Sequence, residues 1–432
     1  MKKESKPDIL KLIGPAAIWD PRTALDNKGA PREREQELRW RANFAKEQVM
    51  KHSVDRILTT HAGSLPRPDD LTRMMWDSID GKPQDEATFR ARIRSAVGEI
   101  VKQQDEAGID IVSDGEMSKF GFSNYVLQRY SGFGKAAGFV ATDLGDFPGI
   151  VTKIFANEGG AHLKLPNVEG PLELKDPDAV MRDIDNFKAA LGGRDPDSAF
   201  IPAVSPGQML FNFPNLYYKT DQEYLEAAAN QLKHEYRAIV NAGFNLQLDA
   251  PDLPMNSHSF AGSAGTKTVR EHVPAAIEAM NEAIKGLPPE KIRLHLCWGN
   301  YAGPHHHDIE LKDLIEPVLK TRAGFLYVEA ANPRHEHEWE VWRDTKLPAG
   351  KALIPGVIDT LTNHVEHPRL VAQRIERFAD IVGKENVIAG TDCGFSTFVG
   401  WSGCDSKVSW LKLKSLSEGA AIASDRLWSK KR

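Results

Sequence analysis

The sequence has few cysteines and no long apolar run. Only three cysteines occur among its 432 residues, Cys297, Cys393 and Cys404. They are too few for a disulfide framework, so we expect the thiols to serve metal binding or catalysis. No stretch approaches the ~18 consecutive apolar residues of a membrane-spanning helix, and no apolar run follows the basic start of the chain. We therefore expect a cytoplasmic protein with no membrane partner.

A strong charge of either sign is also missing. The chain carries 55 Lys and Arg against 60 Asp and Glu, which gives a formal net charge of -5. This balance gives no reason to expect nucleic acid as a partner. The 41% of hydrophobic and 27% of charged residues are ordinary for a globular protein. Small molecules are therefore the expected partners, and the oligomeric state is open.

Residues 1–52 differ in composition from the rest of the chain. Pro and Gly occur between residues 19 and 31, and a charged run follows at residues 32–51. We interpret residues 1–52 as an N-terminal extension, an irregular arm that leads into a polar helix. A solvated extension or an oligomer contact is favoured over a role in the active site.

From residue 53 onward, short apolar runs alternate with longer amphipathic segments, which is typical of βα units. The clearest helix is predicted at residues 221–242, where Leu225, Ala228 and Leu232 follow at steps of three and four and Gly243 ends the helix. Further helices are predicted near residues 86–107, 269–284, 308–319, 368–382 and 408–423. Strands are predicted at residues 57–58, 109–112, 199–204, 245–248, 292–296, 325–328, 352–357 and 387–389.

These eight strands predict an α/β fold, a (β/α)8 TIM barrel over residues 53–432, with a doubly wound open sheet as the alternative. Seven of the eight predicted strands end in, or are followed by, chemically reactive side chains. In barrel enzymes the loops at the carboxyl ends of the strands form the active site, so we expect these side chains to converge. They are His61, Ser64, Asp114, Glu116, Asp249, His295, Cys297, Glu329, Asp359, Asp392 and Cys393.

Three of these side chains predict a zinc site. His295 and Cys297 lie two residues apart on a predicted strand, so both side chains point to the same side and can hold one ion. Cys393 precedes Gly394, which permits a close turn of the backbone around a ligand. Imidazole nitrogen and thiolate sulfur are ligands that zinc prefers. The pair alone also fits a buried apolar thiol beside a core histidine, and Cys404 is interpreted as a non-ligand.

The ligand types favour one kind of zinc chemistry. Two thiolates, one imidazole and one carboxylate from the neighbouring acids would give the ion a net negative shell, which is poor for generating hydroxide. A thiol bound there would persist as an electron-rich thiolate at neutral pH. An incoming soft sulfur should displace the hard carboxylate most easily. The sequence therefore predicts thiol alkylation.

Five motifs lie at the ends of predicted strands. They are residues 58–67 (LTTHAGSLPR), 112–116 (VSDGE), 246–251 (LQLDAP), 295–300 (HLCWGN) and 391–394 (TDCG). Together they resemble the catalytic domain of cobalamin-independent methionine synthase, and more closely its short relatives, which include epoxyalkane:coenzyme M transferase. The resemblance covers residues 54–400 and implies a TIM barrel that transfers an alkyl group to a zinc-bound thiol, with zinc as the only cofactor.

By this resemblance, each family site residue falls on a position of this chain. The zinc ligands are His295, Cys297, Glu329 and Cys393. The contacts to an amino-acid thiol are Ser64, Glu116 and Asp249. The resemblance therefore implies that Glu116 and Asp249 hold a substrate ammonium group; the alternative is that they are buried acids paired with Lys119 or a backbone donor.

The chain also departs from full-length methionine synthase. It lacks the large N-terminal barrel, has Met255 in place of a folate-binding Glu, and has Leu361 in place of a proton-donating His. These departures argue against a methyltetrahydrofolate polyglutamate donor. His364 is the candidate catalytic proton donor, and a loop histidine without that role is the alternative.

Three functions follow from this reading. The first is zinc-dependent transfer of an alkyl group, methyl in the first instance, to a small thiol such as homocysteine. The second is opening of an epoxide by a thiol like coenzyme M, whose sulfonate would need a cation such as Arg67, Lys119 or Arg334. The third is a non-catalytic protein in which zinc stiffens the barrel, which predicts a closed four-ligand site without a cleft.

Two further features belong to the predicted mouth of the barrel. The run His305 to His307 is interpreted as a polar loop, because three consecutive side chains cannot all face one ion. Asp308 is predicted to cap the helix that follows. Trp298 and Tyr301 are predicted to form walls of the pocket.

Overall fold

The computed structural model describes residues 50–137, 142–155, 162–255 and 269–429. The predicted N-terminal extension lies outside the described residues, apart from residues 50–52. The strands in the described part are β1 Leu58–Thr59, β2 Val112–Ser113, β3 Phe133–Ala137, β4 Leu165–Val168, β5 Ala199–Val204, β6 Asn245–Asp249, β7 Ile292–His295, β8 Phe325–Val328, β9 Ala352–Pro355 and β10 Ile388–Ala389.

Six parallel strands form one sheet in the order β2, β5, β6, β7, β8, β9. Their register places Val204 opposite Asp249, and Asp249 opposite His295. The carboxyl ends of neighbouring strands therefore lie at one edge of the sheet. The order follows the chain without reversal, which excludes the doubly wound alternative, since such sheets reverse direction at a switch point.

The first and last strands form a second parallel pair, with Leu58 opposite Ile388. Isolated bridges join Leu353 to Val387 and Gly356 to Gly390, between β9 and β10. On the other side, the Ile111 backbone N–H donates to the carbonyl of Thr59 at 3.0 Å. The fold is thus an α/β fold in which a parallel sheet curls, as predicted in its main features.

Helices follow most of the strands. In the described residues they are α1 Asp69–Ile79, α2 Glu86–Glu106, α3 Val126–Arg129, α4 Thr142–Gly145, α5 Pro148–Phe155, α6 Ala179–Leu191, α7 Pro206–Asn212, α8 Asp221–Asn241, α9 Asp252–Met255, α10 Val269–Ala283, α11 Leu311–Val318, α12 Val341–Asp344, α13 Pro368–Val382 and α14 Ser406–Trp428. Short 3-10 turns lie at Pro196–Ser198, Pro289–Lys291, Glu336–Glu340 and Lys384–Asn386. In the described residues, no helix is both long and apolar enough to cross a membrane.

Helix α8 shows why the predicted helices form. Thr220 caps its first turn by accepting a hydrogen bond from the Glu223 N–H at 3.1 Å. Leu225, Ala228 and Leu232, the apolar stripe read from the sequence, are all buried. The prediction was wrong at α11, which begins at Leu311 rather than at residue 308.

The core has two main parts. The larger lies between the sheet and its helices, as expected for a parallel sheet with both faces covered. The smaller lies on the inner face of the curled sheet and includes Phe200, Tyr327 and Ile354. Arg293 is buried beside this cluster, 4.0 Å over the Phe200 ring, and donates to the carbonyl of His61 at 2.8 Å.

An antiparallel pair, β3 with β4, was not predicted. It lies in the segment between β2 and α6, which also contains α4 and α5. Leu144 of α4 and Leu165 of β4 reach the pocket described below. This segment is therefore an insertion between two strands of the sheet that covers the site.

Candidate functional site

A pocket lies at the carboxyl ends of the strands, lined by mostly apolar side chains around a small group of polar ones, which is the usual make-up of a small-molecule site. It brings together six of the eight residues predicted for the site, which come from five separate strand ends. They are Ser64, Glu116, Asp249, His295, Cys297 and Cys393. Glu329 and His364 do not line this pocket.

Two cysteine thiols meet at the base of the pocket. The sulfur atoms of Cys297 and Cys393 are 3.2 Å apart, and both residues are buried. The hydrogen bond between the thiols, together with burial and the nearby Glu329 carboxylate, raises the pKa of Cys297 well above its usual value. A cation between the sulfur atoms would reverse that effect, because a bound metal holds thiols as thiolates.

The imidazole of His295 is oriented by a carboxylate. Its Nδ1 lies 2.9 Å from Oδ1 of Asp249, and its Nε2 lies 3.4 Å from the backbone carbonyl of Asp392. Ligand histidines in metal sites commonly donate their second nitrogen to such a carboxylate. The arrangement therefore directs Nε2 toward the turn that carries Cys393.

The carboxylate of Glu329 lies behind the thiols and is fully engaged. It accepts hydrogen bonds from the Trp298 backbone N–H at 2.8 Å and from the Asn332 side chain at 2.7 Å, and Arg334 lies 3.1 Å away. Asp392 fixes the same loop by accepting the Asn332 N–H at 2.8 Å. Glu329 would have to exchange one of these partners to reach an ion between the thiols.

The donor atoms of the four predicted zinc ligands do not all lie within 4.8 Å of one another. In the described residues, only one group has three or more ligand atoms within this distance of one another. It consists of Asp146, His306 and His307 and lies on the surface. Two sulfur atoms bound to one tetrahedral zinc at ~2.3 Å would lie ~3.8 Å apart. The observed 3.2 Å needs only a small opening of the thiol pair.

Glu116 is the most unusual acid in the pocket. It is buried, its backbone has a positive φ of 60°, and its Oε2 has no hydrogen-bond partner among the described residues. Burial raises its pKa to about 8, with the charge of Lys119 opposing and that of Asp249 adding to the shift. A buried carboxylate oxygen without a donor is costly unless a ligand supplies one, so this oxygen is suited to bind a cationic group.

Ser64 lies against the turn that carries Cys393. A Cβ at position 394 would overlap the Ser64 hydroxyl, so only Gly394 permits this approach. The Phe395 N–H donates to the Ser64 carbonyl at 2.8 Å. The loops after β1 and β10 are thus held together at the pocket.

The remaining lining is mostly apolar and aromatic. Tyr301 contributes to the wall as predicted, whereas Trp298 is buried behind it, with its indole nitrogen donating to the Ile309 carbonyl at 2.7 Å. The other apolar lining residues are Phe122, Leu144, Leu163, Leu165, Phe211, Pro251, Met255, Phe398 and Trp401. No Lys or Arg lines the pocket in the described part of the chain.

The three cations considered for a sulfonate are engaged elsewhere. Arg67 donates to the backbone carbonyls of Ser396, Glu116 and Lys119. Lys119 itself donates to the Pro202 carbonyl. Arg334 pairs with Glu329 at 3.1 Å and with Asp308 at 3.4 Å. Arg67 and Lys119 therefore shape the backbone around Glu116.

His364 lies on the surface. It is exposed in the loop after β9, and its role as proton donor stays a prediction. Leu361 is half-buried in the same loop and also lies outside the pocket lining.

Some lining residues were not singled out from the sequence. Asn300 donates from its side chain to the Gly394 carbonyl at 2.7 Å and accepts from Thr360 at 3.0 Å, which links three loops. Gln208 and Asn212 of α7 line the opposite side and are hydrogen-bonded to each other at 3.0 Å. Asn300 lies inside the HLCWGN motif, so the sequence could have identified it as a site residue. Helix α7 contains no motif that marks Gln208 or Asn212 in the same way.

Asp308 corrects another prediction. It does not cap α11, whose first position is preceded by Glu310. Its Oδ2 instead lies 2.9 Å from His335 Nε2 and 3.4 Å from Arg334. The acid serves the network behind Glu329 rather than a helix end.

The chain is similar to known methionine synthases. It is 26% identical over 372 residues to a methionine synthase of Saccharolobus solfataricus, covering 85% of this chain and 95% of that protein. It is 25% identical over 365 residues to one of Thermococcus kodakarensis, covering 84% and 92%. No family model matches the chain.

A solved structure shares the fold. A B12-independent methionine synthase from Shewanella sp. W3-18-1, in complex with selenomethionine, superposes with a TM-score of 0.65 at 22% identity, over 87% of this chain and 99% of that chain. The resemblance predicted from the five motifs is confirmed by these relatives.

Proposed function

We propose that this chain, which resembles the catalytic-domain family of cobalamin-independent methionine synthase, transfers a methyl group to an amino-acid thiol such as homocysteine in a zinc-dependent reaction. The named activity of its relatives supports thiol methyl transfer. The observation that carries the proposal is the pocket itself, which is lined by a thiol pair, a histidine and Glu116, whose Oε2 has no hydrogen-bond partner among the described residues.

Zinc is the proposed metal. Its protein ligands would be His295, Cys297 and Cys393, with Glu329 as the fourth. The donor set fits this ion, since both thiols are buried, the thiol pair faces the pocket, and the imidazole is oriented through Nδ1. When bound, zinc would keep the substrate thiol in its reactive thiolate form at neutral pH.

The chain's own residues would position the amino acid. Asp249 holds the His295 ring and also lines the pocket, so it would contribute negative charge near the substrate ammonium group. Glu116 would accept a hydrogen bond from that group with its free oxygen, and Ser64 would contact the amino acid from the loop after β1. Together these contacts would hold the thiol at the base of the pocket.

The charge pattern favours an amino-acid thiol over a sulfonated one. Two acids line the pocket, and none of the described lining residues is Lys or Arg. Burying a sulfonate beside these acids without a cation would be unfavourable. Opening of an epoxide by a coenzyme M-like thiol is therefore the weaker proposal, although it would use the same metal ligands.

The methyl donor would enter from the apolar side of the pocket. Met255 lies there in place of the folate-binding Glu, beside Leu144 and Tyr301. A donor with an apolar body suits this wall better than a polyglutamate chain. Aromatic faces also keep water away from a thiolate.

We also propose that the sheet closes into a full (β/α)8 barrel. Hydrogen bonds on both sides of the β1–β10 pair support closure. A closed barrel would hold the loops after β1 and β10 in fixed register at the pocket.

The proposal is tested with zinc-loaded protein, several thiols, and methyl donors and epoxides in parallel. Proton release on thiol binding should occur with homocysteine, and mass spectrometry should then detect methylated homocysteine. If coenzyme M reacts with an epoxide instead, the second function is correct. If zinc binds but homocysteine, coenzyme M and glutathione release no proton, thiol activation fails and the non-catalytic alternative gains support.

A further inference from the structure

We propose that the chain has a second metal site, formed by Asp146, His306 and His307, which takes a zinc-class cation and fastens the insertion that covers the pocket. The three side chains come from two segments. Asp146 follows α4 in the insertion, and the two histidines lie in the loop after β7. This site is separate from the thiol pair and does not depend on the proposed function.

The three side chains already converge. Nε2 of His306 lies 2.9 Å and Nε2 of His307 lies 3.2 Å from the same Asp146 oxygen, Oδ2. All three ligand atoms lie within 4.8 Å of one another. Ligand atoms at ~2.0–2.1 Å from a tetrahedral zinc lie ~3.3 Å apart. The two distances from Asp146 Oδ2 to the histidine nitrogens are close to that value, so these two contacts need little rearrangement.

The backbone explains how consecutive histidines can share one ion. His305 has a positive φ of 54°, which turns the chain sharply just before the pair. Its own ring faces elsewhere, 3.0 Å from the Tyr301 carbonyl and 3.1 Å from Asp308. His306 and His307 then place their ring centres 4.0 Å apart on one side of the turn. The run therefore supplies two ligands rather than three.

The ligand types define the class of cation. Two imidazoles and one carboxylate suit Zn²⁺, Co²⁺ or Ni²⁺ rather than Mg²⁺ or Ca²⁺, which prefer oxygen ligands. The side chains are 39–55% exposed, so water can complete the coordination.

A second polar contact between the same two segments lies beside this group. Asp143 accepts hydrogen bonds from the Tyr301 hydroxyl at 2.7 Å and from the His305 N–H at 3.2 Å. Leu144 and Tyr301, next to these contacts, both line the pocket. A cation at Asp146 would therefore hold the cover against the loop after β7, which also lines the pocket.

The test counts zinc on the purified full chain after equilibration with a zinc buffer and removal of weakly held metal. The wild type should retain two ions per chain, and His306→Ala/His307→Ala should retain one. The matched control His337→Ala, an exposed histidine outside the group, should retain two. Cys297→Ser/Cys393→Ser should keep only the second ion, which separates this inference from the proposed function.

Cobalt distinguishes the two sites by spectrum. Co²⁺ at the thiol pair should give a sulfur charge-transfer band, whereas Co²⁺ at Asp146 should give only weak ligand-field bands. In the cysteine variant, zinc should raise the Tm, and this rise should vanish when both histidines are replaced. The inference is overturned if His306→Ala/His307→Ala retains as many zinc ions as the wild type, or if zinc raises the Tm of the cysteine variant equally after both histidines are replaced.

Discussion

Replacing Glu116 by Gln tests the role given to the most unusual acid of the pocket. Gln has the same shape but no charge, so it removes the ionic hydrogen bond to a substrate ammonium group. Hydrogen bonds to charged groups contribute about 1.5–3 kcal/mol, which corresponds to roughly a 10–150-fold rise in the KM of an amino-acid thiol. A des-amino thiol of the same length, 4-mercaptobutanoate, should change little.

The pKa of Glu116 adds a pH signature to this prediction. Burial raises that pKa to about 8 in the protein without substrate, so roughly one molecule in ten carries the carboxylate at pH 7. Binding of an ammonium group requires the charged form. The KM of homocysteine should therefore fall as the pH rises from 7 toward 8. The fall should be shallower in Glu116→Gln, which keeps only the pH dependence that comes from proton release by the thiol.

Stability gives an independent check on the same residue. A carboxyl group whose pKa is raised by folding binds protons more tightly in the native state. The stabilisation that this tighter proton binding gives to the folded state is therefore lost as the pH rises from about 4.5 to 8. Glu116→Gln should unfold at a higher temperature than the wild type at pH 8 and differ little at pH 4.

Steady-state kinetics with both thiols measure the KM effects of this substitution, and thermal melts at both pH values measure its effect on stability. Equal KM changes for homocysteine and 4-mercaptobutanoate would refute the ammonium role.

Three further predictions concern the metal and the turn beside it. Cys297→Ser should lose most of the zinc and the activity. The control Cys404→Ser alters a buried thiol outside the pocket and should keep both. Full activity in a metal-free Cys297→Ser protein would contradict the zinc proposal. Asp249→Asn should weaken zinc binding roughly 10–100-fold, as loss of such an orienting carboxylate does, and unchanged affinity in a competition titration would show that it does not orient His295. Gly394→Ala should lower the free energy of unfolding by about 1–3 kcal/mol because its Cβ overlaps the Ser64 hydroxyl, and denaturation curves with no such loss would mean that the turn can move freely.

The sequence predicted the parts of the fold that depend on regular patterns. The stripe of Leu225, Ala228 and Leu232 located α8, and the apolar runs located the parallel strands because these are buried on both faces. The insertion with β3 and β4 could not be predicted, since its pairing joins segments whose residues carry no clear period. The start of α11 was missed because Asp308 looks like a helix cap but is bound by His335 and Arg334.

The site was predicted from motifs that lie at strand ends. Alternation along a strand explains why His295 and Cys297 face one pocket. The parallel pairing of β10 with β1, and its bridges to β9, explain why Cys393 joins them. The engagement of Glu329 with Trp298 and Arg334 depends on a loop conformation that local sequence does not encode. For the same reason, the exposed position of His364 was not foreseen.

The pairing of the first strand with the last has a consequence for the growing chain on the ribosome. Ser53 hydrogen-bonds to the Val387 carbonyl, 334 residues away, so β1 waits for its neighbour through most of synthesis. Cys297 precedes Cys393 by 96 residues, which is about 5–20 s at ordinary elongation rates of ~5–20 residues per second. During that interval the Cys297 thiol has no partner thiol, and the thiol pair can form only once the last βα units of the chain have been made.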